Sequence, residues 1–156
     1  MEKEGMMKLA VDLSRHGMLH KKGGPFGAVI VKYGKIVGEG YNEVTSTNDP
    51  TAHAEVVAIR NACKTLNTFL LEDCEIYCSC EPCPMCLSAI YWARIGKVYY
   101  ANTKSDAAAI GFSDAFIYQE FEKQPDERTV LAEKINMAEA HKVFEEWVQL
   151  EGKQPY

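Results

Sequence analysis

Nine residues, CSCEPCPMC at positions 78–86, hold four of the six cysteines in a chain of 156. This cluster limits the fold more than any other feature. Cys83 and Cys86 are spaced as CxxC, and the prolines around them suit the first turn of a helix, where a missing N–H costs little. Six cysteines could form the disulfide framework of a small secreted domain. The chain is long enough to build a core without staples, MEKEGMMKLA lacks the apolar core of a signal peptide, and the cysteines cluster instead of spreading. CxxC in a cytoplasmic protein points instead to metal or redox chemistry, and a soluble, cytoplasmic protein is expected, with no membrane span.

Periodicity places the cluster in a fold. KEGMMKLAVDLSRHGMLH puts Met6, Leu9, Ala10 and Leu13 on a helical face. KKGGP breaks the chain, and FGAVIVKYGKIVGEGYN reads as a β-hairpin turning at YGK. A helix is predicted from about Ala52 to Leu66, with Asn48, Asp49 and Thr51 as cap candidates. CEIYCS predicts a buried strand, PCPMCLSAIYWARI a helix, and KVYYAN another strand. Residues 104–121 read as helix broken at Gly111, RTVLAEKIN as a final strand, and MAEAHKVFEEWVQL as an amphipathic helix. This alternation predicts an α/β fold: a single three-layer α/β/α domain with a central mixed sheet.

A catalytic zinc takes three protein ligands and leaves one position open. Cys83 and Cys86 supply two thiolates at a helix start, where the positive helix end favours the thiolate. His53, in His53-Ala54-Glu55, is the candidate third ligand, because it too opens a helix. Glu55 need not bind metal and could instead hold and move a proton on water at the open position. One His, two Cys and a non-ligating Glu, as HxE…PCxxC, is the signature of zinc deaminases. A lone CxxC is weak evidence, whereas the two halves together are specific. Cys78 and Cys80 lie on one face of their strand and read as small packed hydrophobes. A four-thiolate cluster with Cys83 and Cys86 is the alternative, and it leaves HAE unexplained. Cys63 and Cys74 read as structural.

At these residues the chain resembles the cytidine deaminase superfamily and, within it, the bacterial guanine deaminases. GGPFGAVIV, TNDPTAHAEVVAIR, SCEPCPMCLSAIYWAR and IGFSDAFIY carry the likeness, which spans most of residues 23–118. Residues 122–150 match least well. The resemblance implies one zinc per chain, deamination of guanine to xanthine, and a homodimer that exchanges C-terminal segments, here about 137–156. It also implies roles. Asn42 would hydrogen-bond the purine. Phe26, His53, Ala54 and Trp92 would line the substrate site. Asp114 would act as a second carboxylate, relaying a proton with Glu55, and Tyr156 would reach the partner's site. Each residue has a plainer reading. Asn42 could cap a turn, Phe26 and Trp92 could be core, Asp114 could cap a helix, and Tyr156 could be a frayed end.

Charge bears on the partner. Net charge is -5, and from Asp114 onward five Lys/Arg face ten Asp/Glu. Nucleic-acid binders usually show a basic face, so no nucleic-acid partner is expected, and the resemblance implies a small-molecule purine base instead. A nucleoside or tRNA adenosine deaminase of the same superfamily is the runner-up. A non-catalytic zinc-stabilised interaction module is the alternative from another class, and it would have no use for Glu55.

Overall fold

A computed structural model describes residues 2–156. The chain divides into two compact units, the first ending at Asp114 and the second spanning Ala115–Tyr156.

The first unit is built on a four-stranded sheet. β1 (Gly27–Lys32) and β2 (Lys35–Tyr41) form the predicted hairpin, turning through Tyr33 and Gly34, both at positive φ. β3 (Cys74–Cys80) pairs antiparallel with β1, and β4 (Lys97–Asn102) pairs parallel with β3, giving the order β2-β1-β3-β4. The sheet is mixed because one crossover, through a helix, joins its two parallel strands.

Strand alternation sorts side chains onto two faces. Val29 and Val31 of β1 and Tyr77 of β3 meet α1 (Lys3–Leu19) through Met6 and Ala10. Ala28, Ile30, Ile76 and Cys78 point the other way, into a core shared with α3 (Ala54–Leu66) and α4 (Pro84–Trp92). The three-layer reading of the sequence therefore holds.

Small residues set how closely α3 lies on the sheet. Ala54, Ala58 and Ala62 recur every four residues and are fully buried. They sit over Gly38 and Gly40 of β2. A Cβ on Gly38 would stand 2.5 Å from the Ala58 carbonyl oxygen, and one on Gly40 would stand 2.7 Å from the Ala58 nitrogen. No side chain fits between strand and helix, so α3 lies directly on β2.

Two sequence expectations are corrected. The cap candidates do not cap α3: His53 is its N-cap residue. Asp49 bonds the backbone N–H and hydroxyl of Thr51 instead. Asn48, at positive φ, ends a short helix the sequence did not announce, α2 (Val44–Thr47). RTVLAEKIN forms no strand. Its apolar residues suit one, but a strand needs a hydrogen-bonding partner, and none of the four strands takes it up. Val130, Leu131 and Ile135 are exposed.

The helical break at Gly111 is present, between α5 (Lys104–Ala109) and α6 (Ala115–Glu122). In the second unit, α7 (Ala138–Gln149) has no buried residue and carries Val143, Phe144, Trp147 and Val148 exposed. Among the described residues, no helix is long and apolar enough to cross a membrane.

Candidate functional site

Two helices begin side by side on one face of the sheet. His53 and Cys83 are the N-cap residues of α3 and α4, and both have extended backbones. The His53 side chain makes no capping bond to α3, and Cys83 meets α4 through Cys86. Pro84 takes the first helical position of α4, which puts Cys86 on the first turn.

The three side chains converge. His53 Nδ1 lies 3.5 Å from the sulfur of Cys83 and 3.5 Å from that of Cys86. All three donor atoms fall within 4.8 Å of one another. A tetrahedral zinc with Zn–N of about 2.1 Å and Zn–S of about 2.3 Å sets the N···S separation at roughly 3.6 Å. The donors present thus fit zinc in both type and spacing. All six cysteines are free, so the disulfide framework is excluded.

Electrostatics favours ligation. The Cys86 thiol donates a hydrogen bond to Cys83 and, against the cost of burial, holds Cys83 down at about 4, with His53 helping. The same bond, with burial, pushes Cys86 up. The pair therefore shares one proton, and its release on ligation gives two thiolates. Hydrogen bonding to Cys83 raises His53.

Glu55 sits on the first turn of α3 and is buried. Burial raises its pKa, outweighing a bond to its own backbone N–H and one from Cys86. A carboxyl group whose pKa is raised toward neutrality can both accept and return a proton. Cys78 and Cys80 stand outside the donor cluster. Both are buried on β3, and burial raises both. The Cys80 sulfur instead faces the Thr103 carbonyl oxygen at 3.6 Å. They are packed thiols, not a fourth and fifth ligand.

The remaining candidates are spread around the unit. Asn42 is buried just beyond β2. The Phe26 ring meets Phe112 edge-on at 5.0 Å. Ala54 is fully buried at the start of α3. Trp92 ends α4 and is exposed, and half-buried Asp114 immediately precedes α6. Tyr156, exposed, belongs to the second unit. Sequence reasoning did not single out Phe112, although it lies in the IGFSDAF stretch. It also missed Ser79, a buried hydroxyl that accepts the Gly27 N–H at 2.9 Å. Nothing in the strand pattern of CEIYCSC distinguishes that serine.

Residues 1–102 match the family model of the cytidine and deoxycytidylate deaminase zinc-binding region. The chain belongs to this family. It is 52% identical to the guanine deaminase of Bacillus subtilis over the full length of both proteins. The X-ray structure of guanine deaminase from Bacillus subtilis superposes with a TM-score of 0.98, covering 100% of this chain and 99% of that one. The tRNA-specific adenosine deaminase of Aquifex aeolicus is 45% identical over 101 residues, 65% of this chain and 66% of its own length. The zinc-binding region of a deaminase family thus contains His53, Cys83 and Cys86.

Proposed function

We propose that this protein is a zinc-dependent guanine deaminase, hydrolysing guanine to xanthine and ammonia. One observation carries the substrate choice. The likeness to the Bacillus subtilis guanine deaminase runs through all 156 residues, including the C-terminal unit, whereas that to the Aquifex aeolicus enzyme covers 65% of the chain.

In this reading His53, Cys83 and Cys86 hold the zinc. When bound, zinc supplies Lewis acidity that lowers the pKa of water toward about 7. Glu55 takes a proton from the attacking water at its carboxylate, delivers it to a ring nitrogen, and then carries a proton to the departing amino group. The water oxygen ends on the purine carbon, and ammonia leaves. The burial that raises Glu55 makes it able to hold the proton between these steps. Asn42 and Asp114 read the base. Phe26, Ala54 and the outer face of His53 form its apolar surround, and Trp92 adds a stacking wall at the end of α4. The protein carries out this chemistry in the cytoplasm, without nucleic acid or membrane.

The C-terminal segment completes the site as part of a homodimer. The support is the row Val143, Phe144, Trp147 and Val148 on α7, a helix with no buried residue. An apolar row on an amphipathic helix is stabilised only when something covers it. A partner subunit covering α7 would also bring Tyr156 to its neighbour's substrate.

Ammonia release from guanine, guanosine, adenine, adenosine and cytidine, measured on zinc-loaded protein, tests the function. Guanine should be the preferred substrate by orders of magnitude in kcat/KM. Preference for adenosine would move the protein to the runner-up reading, and release from none would leave a zinc-stabilised module.

A further inference from the structure

By residue pattern the KKGGP segment reads as a chain break. In the structure it holds the side chain of Asn42. The Asn42 Oδ1 accepts two backbone hydrogen bonds, from Gly24 N–H at 3.3 Å and Val44 N–H at 3.1 Å. Both partners are donors and neither can accept. The oxygen end of the amide must therefore face them, whichever way the group is drawn. Its NH2 end has no protein partner among the described residues, although Asn42 is only 6% exposed.

Backbone bonds fix the rest of the residue. The Asn42 N–H donates to the Phe26 carbonyl at 3.0 Å, and the Glu43 N–H donates to the Ala52 carbonyl at 2.9 Å, next to His53. This ties Asn42 both to Phe26 and to the segment that delivers the metal ligand.

Gly23 lets the loop lie against the Asn42 peptide. A Cβ there would collide with Asn42 Oδ1 and stand 2.6 Å from the Asn42 carbonyl oxygen. A Cβ on Gly24 would press on the Phe26 ring at 3.0 Å and on Phe112 at 3.1 Å. Neither glycine has a positive φ, so space and not backbone conformation demands them.

We propose that Gly23 and Gly24 are positioning residues that lock the Asn42 amide with its NH2 toward the substrate, so that the pocket selects a base presenting a hydrogen-bond acceptor there, a ring nitrogen or a carbonyl oxygen. The proposal rests on the deaminase reading above and sharpens it. An amide free to turn could serve donors or acceptors, whereas this one serves acceptors only.

The test uses the full-length, zinc-loaded protein and three variants, Asn42→Asp, Asn42→Ala and Gly23→Ala. Backbone amide exchange of Gly24 and Val44 is followed by 15N NMR, alongside kcat and KM for guanine. Asp keeps the locked oxygen and replaces the NH2 with a second acceptor. Asn42→Asp should therefore keep both amides protected and the zinc bound, yet raise KM about tenfold or more. Asn42→Ala should expose both amides. Gly23→Ala should expose them too and raise KM, but should add little in an Asn42→Ala background, since both changes remove the same contact. Should Gly23→Ala fold poorly, Asn42→Asp still decides. An unchanged KM for Asn42→Asp would overturn the proposal, because the oxygen end would then face the base. Free exchange of Gly24 and Val44 in the unmodified protein would overturn it as well. If that protein releases no ammonia from guanine, the substrate reading fails, and the exchange data still judge the lock.

Discussion

His53 Nδ1 lies 3.5 Å from the sulfur of Cys83, a residue thirty positions further along the chain. The whole of α3, the loop after it, the whole of β3 and the short link Glu81-Pro82 intervene. Two helix starts brought together on one sheet face make a metal site that no single segment contains.

Ligand removal should separate the thiols into two classes. Cys83→Ala should lose the zinc and the activity, and Cys86→Ala should do the same. Cys78→Ala should keep both, at a modest cost in stability for the small cavity, on the order of 1 kcal/mol. Metal content by atomic absorption and Tm by calorimetry measure this. Zinc lost from Cys78→Ala while the protein remains folded would return the four-thiolate arrangement.

Glu55→Gln should retain zinc and lose turnover by about 10²-fold or more, the usual contribution of a general acid–base. Retained turnover within about tenfold would remove Glu55 from that role. Stability gives an independent readout. Burial raises the Glu55 pKa above its ordinary value of 4.5, so the metal-free native state binds that proton more tightly than the unfolded state does. Native stability therefore falls as pH rises from 4.5 toward the folded value, and a glutamine has no such slope. The Tm advantage of metal-free Glu55→Gln over the parent should widen with pH across that window. A gap independent of pH would show that Glu55 is not strained by burial.

Gly40→Ala should be costly for a residue so far from any chemistry. Its added methyl would meet the α3 backbone, which cannot swing aside as a side chain can. Overpacking of this kind costs roughly 1–3 kcal/mol. Because His53 caps α3 and Glu55 lies on its first turn, zinc affinity should fall along with Tm. An unchanged Tm would mean that α3 is not seated on β2 as described.

The site was far more legible in the sequence than the region around it. HAE and PCPMC are local patterns whose residues suit helix starts, and the donor atoms of His53, Cys83 and Cys86 lie together. The hairpin at Tyr33-Gly34 and the break at Gly111 were legible for the same reason, since backbone punctuation is local. The cap of α3 was misplaced because Asp49 had a nearer claim on it, the N–H of Thr51. The strand predicted over RTVLAEKIN failed because strand pairing is not a local property. The contact of Gly23 and Gly24 with Asn42 was invisible because it depends on Asn42, 18 residues from Gly24, returning to the same place.

Residues 137–156 supply the last prediction. The apolar row on α7 needs a cover, and the proposed cover is a second subunit that receives Tyr156. Deleting Gly152–Tyr156 should then leave the dimer intact, because α7 holds it, while guanine turnover falls as the pocket opens to water. A mixed dimer separates crossing tails from tails that serve their own chain. One partner is full-length and carries Glu55→Gln; the other keeps Glu55 and lacks the tail. Each parent homodimer should be weak or dead. If tails cross, the intact Glu55 of the truncated chain receives Tyr156 from the full-length chain, and each heterodimer regains about half the activity of the unmodified dimer. If each tail serves its own chain, the heterodimer pairs a closed dead site with an open live one and gains nothing. Sedimentation and native mass spectrometry establish that the heterodimer forms. Formation without recovered turnover would place Tyr156 in its own chain's service, or outside catalysis altogether.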